Sequence, residues 1–163
     1  MTWPGAWPTH EMVEGRRRLL QLRTMLGSLP LDDVSAELAR FLVVRATGYV
    51  EQTFESCLQH FAEEKSHPAV ARHVVGGLFH GKNPKSDTLI MRLRSFDEVW
   101  ATSFGDYLAD DDNRAQRELD YMVDRRNRIA HGGSESVNMR KALDLADIAV
   151  EIGERLITLL DPH

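Results

Sequence analysis

The hydrophobic positions of the chain recur every three or four residues, which is the spacing of one face of an α-helix. The clearest stripe runs through a long predicted helix and consists of Val43, Ala46, Thr47, Val50, Phe54, Cys57, Leu58 and Phe61. A second stripe predicts the core face of a final helix and consists of Leu143, Ala146, Ile148, Ala149, Ile152, Leu156, Ile157 and Leu160. No segment shows the regular alternation that is typical of a β-strand.

Glycine, proline and acidic residues divide the chain between these stripes. Breaks are expected at Gly27-Ser28-Leu29-Pro30 and at Ser66-His67-Pro68, and the run Asp110–Asn113 is expected to cap a helix. After an irregular lead-in over residues 1–8, the predicted helices cover 9–26, 32–64, 69–80, 86–108, 112–131 and 137–160. The sequence therefore predicts an all-α bundle with two long core helices and shorter additional ones, forming a single domain over residues 1–163.

Composition narrows the class of protein. Hydrophobic residues make up 42% of the 163 residues, which is ordinary for a globular domain. No apolar run approaches the roughly 18 residues of a membrane span, and residues 1–8 lack the apolar centre of a signal peptide. Cys57 is the single cysteine and lies on the packing stripe, so it is expected to be a small buried hydrophobe. We expect a cytoplasmic protein with no membrane partner.

The charge argues against a protein that coats nucleic acid non-specifically. The net charge is −5, whereas such proteins rely on a basic surface. A local basic cluster is still compatible with an RNA cleft, and Arg125, Arg126 and Arg128 provide one. A second cluster, Arg16-Arg17-Arg18 with Arg23, is expected to be an ordinary solvated helix face.

The segment Arg126-Asn127-Arg128-Ile129-Ala130-His131-Gly132 is the most informative part of the chain. At about 100° per residue, Arg126 falls near the centre of the packing stripe of its helix. A guanidinium in that position needs a partner, and Glu51 on the long helix is the best candidate. Beside the stripe lies a set of polar residues that we call the polar ledge: Asp120, Asp124, Asn127 and His131.

The segment resembles the Arg-x4-His motif of the HEPN superfamily, in the form with Asn after Arg, a small residue before His and Gly after it. Arg126, Asn127, Ala130, His131 and Gly132 match this form. The segment Val43–Phe54 is similar to the long earlier helix of HEPN domains of the RNA-repair and abortive-infection type. The resemblance extends over roughly residues 32 to 160. It implies an all-helical fold in a superfamily where many members are metal-independent ribonucleases.

The resemblance also implies roles for individual residues. Arg126, Asn127 and His131 would be catalytic. The local basic cluster makes Arg125 and Arg128 the expected substrate-binding residues, and helix geometry makes Glu51 and Asp120 the expected supporting residues. The resemblance implies an endoribonuclease without cofactor or metal, working as a toxin, a phage-defence effector or an RNA-processing partner, with an antitoxin or a defence protein as a further candidate partner. A homodimer would bring two motifs to one cleft, since Arg126 and His131 point about 140° apart on an ideal helix. The pair Gly132-Gly133 is expected to unwind the last turn and swing His131 inward.

Several alternatives stay open at the level of sequence. The chain could be a non-catalytic HEPN module that binds RNA or a protein, or a helical scaffold on which the motif arose by chance. Arg126 could be a structural ion-pair partner, and His131 could be favoured at the helix end by the macrodipole. Arg45 and Glu51 are each expected to be ordinary salt-bridge residues, and Tyr49 is expected to pack rather than to stack on a ligand.

Two other patterns are set aside. The stretch from Gly76 to Lys82 has the spacing of a phosphate-binding loop, but Asn83 stands where a Ser or Thr should follow. His73 and His80 could share a helix face, but no third ligand for zinc is evident.

Overall fold

The computed structural model describes residues 6–77, 83–133 and 136–162. Within these ranges the chain forms helices and no strand, so the predicted all-α class is confirmed. The helices are α1 (His10–Gly27), α2 (Asp33–Lys65), α3 (Pro68–Gly76), α4 (Ser86–Phe96), α5 (Glu98–Ala130) and α6 (Met139–Leu159).

The long helix α2 lies at the centre of the fold. Asp32 caps its first turn, because the Asp32 carboxylate accepts a hydrogen bond from the Ser35 amide while the Ser35 hydroxyl accepts one from the Asp32 amide. The predicted stripe of α2 is buried from Val43 to Leu58. Phe61 is half-buried and packs edge-on against Trp100 of α5, with ring centroids 4.8 Å apart. Helices α1, α5 and α6 surround α2, and α3 folds back along its C-terminal part.

Among the described helices, α2 and α6 form the most extensive contact, which includes a close approach of the Tyr49 ring to Gly153. Both residues are buried, and the Tyr49 ring lies where a side chain at position 153 would otherwise stand. The prediction that Tyr49 packs is therefore confirmed. Burial raises the pKa of the Tyr49 phenol.

Helix α1 lies against α2 and α6, and its basic cluster is paired with carboxylates. Arg17 and Arg18 bind Glu14 of the same helix, while Arg16 reaches Glu154 and Arg23 reaches Asp147 on α6. These pairs agree with the expectation of an ordinary helix face rather than a nucleic-acid-binding surface.

The predicted helix over residues 86–108 is wrong, because Asp97 separates α4 from α5. Asp97 has an extended backbone and its carboxylate accepts hydrogen bonds from the amides of Val99 and Trp100, so it caps a new helix instead of continuing the old one. Helix α6 likewise begins at Met139 and not at residue 137, since Asn138 caps it through the Lys141 amide.

The acidic run Asp110–Asn113 is a non-helical kink that divides α5 into two helical parts, so the predicted break between residues 108 and 112 is confirmed. Asp110 is extended, and Asp111, Asp112 and Asn113 have φ of 48°, 57° and 59°. Aspartate and asparagine tolerate this left-handed conformation better than other residues with a side chain. The motif therefore lies on the second part of α5, which resumes after this left-handed turn.

Three further predictions concern segments near the edges of the described ranges. Residues 6–8 of the irregular lead-in are non-helical, and residues 1–5 lie outside the described part. The helix predicted over 69–80 ends at Gly76 in its described part, and residues 78–82, with His80 and Lys82 of the two patterns set aside, lie outside it.

None of the helices in the described ranges is long and apolar enough to cross a membrane.

Cys57 is buried on α2, as its place on the stripe predicts. Burial raises the pKa of its thiol to about 12, because the thiolate would lose its hydration. The thiol is therefore a packing group and not a nucleophile at neutral pH.

The close approach of α2 and α6 can be tested at Gly153. A Cβ atom at this position would lie 2.5 Å from the Tyr49 hydroxyl oxygen, so we expect Gly153→Ala to lower the free energy of unfolding by about 1–3 kcal/mol. Gly105→Ala on α5 is the control, since its Cβ would meet Ile90 at an ordinary 3.8 Å. Urea denaturation measures both, and equal stability of the two variants would contradict the proposed packing constraint.

Candidate functional site

The motif occupies the last two turns of α5, which end in a well-defined glycine cap. Gly132 has φ of 76°, its amide donates to the Ile129 carbonyl, and the Gly133 amide donates to the Arg128 carbonyl at 2.9 Å. This is the Schellman arrangement, which satisfies the last carbonyl groups of a helix. His131 is the capping residue and its side chain is exposed. The expectation that the glycines unwind the turn and swing His131 inward is therefore wrong, since they close the turn and leave the imidazole outside.

Arg126 is held by the residue that the sequence singled out. Its Nη1 atom lies 3.3 Å from Oε2 of Glu51, and the two side chains are 23% and 27% exposed. The Arg126 Nε atom is buried and has no hydrogen-bond partner among the described residues. The ion pair thus compensates the charge on the packing stripe and leaves one guanidinium donor unused.

Two residues of the polar ledge, Asp120 and Asp124, bind the start of α4. The Asp120 carboxylate accepts hydrogen bonds from the Ser86 amide and the Ser86 hydroxyl, each at 2.8 Å, and Asp124 pairs with Lys85 at 2.8 Å. Lys85 precedes α4 and provides no side-chain cap of its own. Asp120 of α5 therefore caps the neighbouring helix α4. Its carboxylate is engaged by Ser86 and not by His131.

The second half of the polar ledge is open. Asn127 is half-buried and His131 is exposed, and neither side chain forms a hydrogen bond or ion pair with any residue in the described ranges. The two residues are one helical turn apart on the same face. An amide and an imidazole are therefore available to a ligand at the end of α5.

The two arginines assigned to substrate binding lie on different faces of α5. The Arg125 guanidinium stacks over the Tyr121 ring at 4.7 Å, on the flank where Lys141 of α6 contacts the same ring. That flank is about 120° from His131 round the helix, whereas Arg128 is about 60° from it and exposed. Arg128 therefore lies on the side of α5 that carries His131, and Arg125 does not.

The end of α5 lies beside the first half of α2. The helices are antiparallel, because Phe61 contacts Trp100 at one end while the Thr47 hydroxyl lies 3.4 Å from the Met122 carbonyl oxygen further along. Arg45, expected to be a salt-bridge residue, is exposed and forms no ion pair with the described residues, so that expectation is wrong for this part of the chain.

Sequence reasoning missed the residues of α4 that occupy the ledge. Ser86 lies 34 positions before Asp120, and no local spacing signals that contact. The one signal in the sequence was Lys85, whose side chain cannot accept a hydrogen bond from the first amides of α4. Because those amides usually have an acceptor, a residue elsewhere in the chain was needed.

The division of the ledge predicts unequal effects for its two carboxylates. Asp120→Ala leaves the buried Ser86 hydroxyl and a first-turn amide unpaired, so we expect a loss of about 1–3 kcal/mol in unfolding free energy. Asp124→Ala is the matched control, because its exposed pair with Lys85 contributes at most about 1 kcal/mol. Thermal unfolding monitored by circular dichroism separates them, and a larger loss for Asp124→Ala would contradict the assignment.

The fold agrees with the comparison of this chain with known families. The family model described as RiboL-PSP-HEPN matches residues 18–161, which include the whole of α2 to α6 and the complete motif. No curated protein and no solved structure matches the chain. The chain belongs to the RiboL-PSP-HEPN family of the HEPN superfamily.

Proposed function

We propose that the protein is a metal-independent endoribonuclease whose active site forms where the motifs of two subunits meet. The observation that carries the proposal is the open half of the polar ledge: Asn127 and His131 have no side-chain partner among the described residues, while Asp120 and Asp124 bind Ser86 and Lys85 at the start of α4. Membership of a superfamily in which ribonucleases are frequent supports it.

The proposed reaction is a transesterification within the RNA chain. A neutral imidazole accepts the proton of a 2′-hydroxyl group, whose oxygen then bonds to the adjacent phosphorus. The bond from phosphorus to the 5′-oxygen breaks, and that oxygen takes a proton from a second imidazole in its charged form. The products are a 2′,3′-cyclic phosphate and a free 5′-hydroxyl.

This reaction needs one group that accepts a proton and one that donates a proton, whereas each motif contains a single histidine. Arg126 and His131 also point about 140° apart on the same helix. A two-fold homodimer removes both difficulties, because the second motif faces the same phosphate from the other side. The exposed position of His131 at the helix end is suited to such an arrangement.

The arginines would stabilise the phosphate as negative charge accumulates on it. The Arg126 guanidinium, whose side chain is 23% exposed, is held in place by Glu51, which makes Glu51 a positioning residue. Arg128 shares the exposed face with His131 and would bind a neighbouring phosphate. In the cell such an activity would be that of a toxin, a phage-defence effector or an RNA-processing enzyme.

Single substitutions test the roles of the motif. We expect His131→Ala to lower the rate of RNA cleavage by at least about 100-fold without loss of stability, because the side chain is exposed at a helix end. Arg126→Lys should keep the fold and lose most activity, since an ammonium group lacks the paired donors of a guanidinium. His73→Ala, at an exposed histidine of α3, is the control and should leave the rate unchanged. Undiminished cleavage by His131→Ala would refute the mechanism.

The chemistry of the products separates this enzyme from a binding module. We expect cleavage to persist in a metal chelator, to fail on DNA of the same sequence, and to stop when the scissile nucleotide carries a 2′-O-methyl group. End-group analysis of the fragments should find 5′-hydroxyls. Fragments with 5′-phosphates would point to metal-assisted hydrolysis, and RNA that is retained but never shortened would assign the protein to the non-catalytic HEPN modules.

A further inference from the structure

Helices α1 and α2 leave a pocket open between them on the exposed side of α2. It has a volume of about 250 Å³, and its walls include Gly15 and Leu19 of α1 and Val44, Gly48 and Tyr49 of α2. We call it the glycine pocket. Pockets for drug-sized molecules have volumes of about 300–1,000 Å³, so this one has room for a single ring system and not for a larger ligand.

Packing does not explain the two glycines. A Cβ atom at Gly48 would meet nothing within 4 Å, and one at Gly15 would meet the Tyr49 ring at an ordinary 3.7 Å. Glycine inside a helix costs about 0.5–1 kcal/mol relative to alanine, so both helices carry this cost without a steric need. Side chains at the two positions would instead extend into the pocket, which indicates that the open space itself is the reason for them.

The glycine pocket opens on the side of the molecule that carries the motif. The Thr47 and Arg126 side chains lie on the faces that α2 and α5 turn towards each other. Gly48 is about 100° from Thr47 round α2, and Asn127 and His131 are about 100° and 140° from Arg126 round α5 in the same sense. Between antiparallel neighbours that sense leads to the same side of the pair. An RNA strand at the motif can therefore continue to the pocket without passing round the protein.

One end of the pocket carries a cation. Arg45 lines the pocket, is exposed and has no ion-pair partner among the described residues. A guanidinium binds phosphate oxygens through paired donors. An apolar pocket for one ring with such a donor beside it fits a nucleotide of a single-stranded RNA, whose base is unstacked and whose phosphate follows close by.

The other end of the pocket presents hydrogen-bond acceptors. Gln52 donates from Nε2 to Oε1 of Glu11 at 3.1 Å. Because a carboxylate only accepts hydrogen bonds, this contact fixes the orientation of the Gln52 amide and leaves its carbonyl oxygen to accept from a ligand. Oε2 of Glu11 also has no partner in the described part of the chain, and Glu11 lines a small cavity that adjoins the pocket at Gln52.

Guanine is the base whose edge matches a pair of acceptors. Its N1–H and N2–H groups are adjacent donors, whereas adenine, cytosine and uracil each place an acceptor beside their donor. An acceptor that faces the carboxylate of Glu11 would be repelled and would stay unpaired, which costs binding free energy.

We propose that the glycine pocket binds a guanine base of the RNA substrate, with Gln52 and Glu11 accepting from its N1–H and N2–H groups and Arg45 binding a phosphate of the same strand. Arg45 and Gln52 are seven residues apart, so about 10 Å of α2 separates the two contacts. That span is comparable to the length of a nucleotide from the edge of its base to the backbone. The proposal rests on the proposed function and adds a site of base specificity outside the motif.

Non-cleavable oligonucleotides test the pocket. Fluorescence polarisation would compare three labelled 2′-O-methyl oligoadenylates, of which one contains a single guanine, one contains hypoxanthine in its place and one contains neither. The wild-type protein should bind the guanine oligonucleotide at least about tenfold more tightly than the other two, since hypoxanthine lacks the 2-amino group. Gly48→Leu and Gln52→Leu should abolish this preference, and Arg45→Ala should weaken the binding of all three about equally.

The matched control is Gly76→Leu, because a Cβ atom at Gly76 also meets nothing within 4 Å, and it should bind like the wild type. Gly48→Leu should unfold at no lower a temperature than the wild type in circular dichroism, since leucine has the higher helix propensity. Its loss of guanine preference is then not a loss of fold.

The outcomes separate the pocket from the catalytic proposal. Equal binding of the three oligonucleotides by a wild-type protein that cleaves RNA would overturn the guanine site and leave the ribonuclease standing. A guanine preference that needs Gly48, in a protein that never cleaves RNA, would uphold the pocket and overturn the ribonuclease. A changed mass of Gly48→Leu in sedimentation velocity, with unaltered oligonucleotide binding, would assign the pocket to a contact between subunits and overturn guanine binding.

Discussion

The burial of α2 is the constraint on which the rest of the structure depends. Its apolar residues occupy more than one face, so α1, α5 and α6 must all pack around it, and the contact with α6 is close enough that Gly153 leaves room for the Tyr49 ring. Helix α3 covers part of the remaining side at the C-terminal end. One side of the first half of α2 stays exposed, at Val34 and Phe41, and the motif at the end of α5 lies next to it. The open surface is thus a consequence of how the core is filled.

The ion pair between Arg126 and Glu51 reconciles a charged motif with this packing. Side chains on a helix lean towards its N-terminus, so in two antiparallel helices they lean towards each other. Arg126 and Glu51 therefore meet near the level of Thr47 and Met122 although their backbones are further apart. The pair holds the guanidinium at the edge of the core, where the Arg126 side chain is 23% exposed.

Two further sets of contacts shape the site although their residues are not proposed to bind substrate. Asp120 and Asp124 hold the start of α4, which keeps that helix beside α5 but away from the end of the motif. The Schellman bonds of Gly132 and Gly133 keep the last turn of α5 regular, so Asn127 and His131 stay on one face. The acidic interruption at Asp110–Asn113 separates this second part of α5 from the part that packs against Phe61. The site is therefore rigid where it is attached and open where a ligand would bind.

The sequence by itself determined the helical class, the position of the long helix and the burial of Cys57, and it made Glu51 the best candidate partner of Arg126. The helical features follow from hydrophobic periodicity, which is a local property of the sequence. The ion pair follows from the free-energy cost of an uncompensated charge on a packing face, which requires a partner of opposite charge. It did not determine the break at Asp97, the left-handed turn in α5 or the hydrogen bonds between Ser86 and Asp120. Each of these depends on which of several competing acceptors a backbone amide binds in the folded chain. It also did not determine the direction of the His131 side chain, which stays exposed because the glycine cap closes the last turn, or the stacking of Arg125 on the Tyr121 ring beside α6. Tertiary structure alone decided that the motif and the exposed half of α2 share one side, since that depends on the antiparallel contact between helices far apart in the chain.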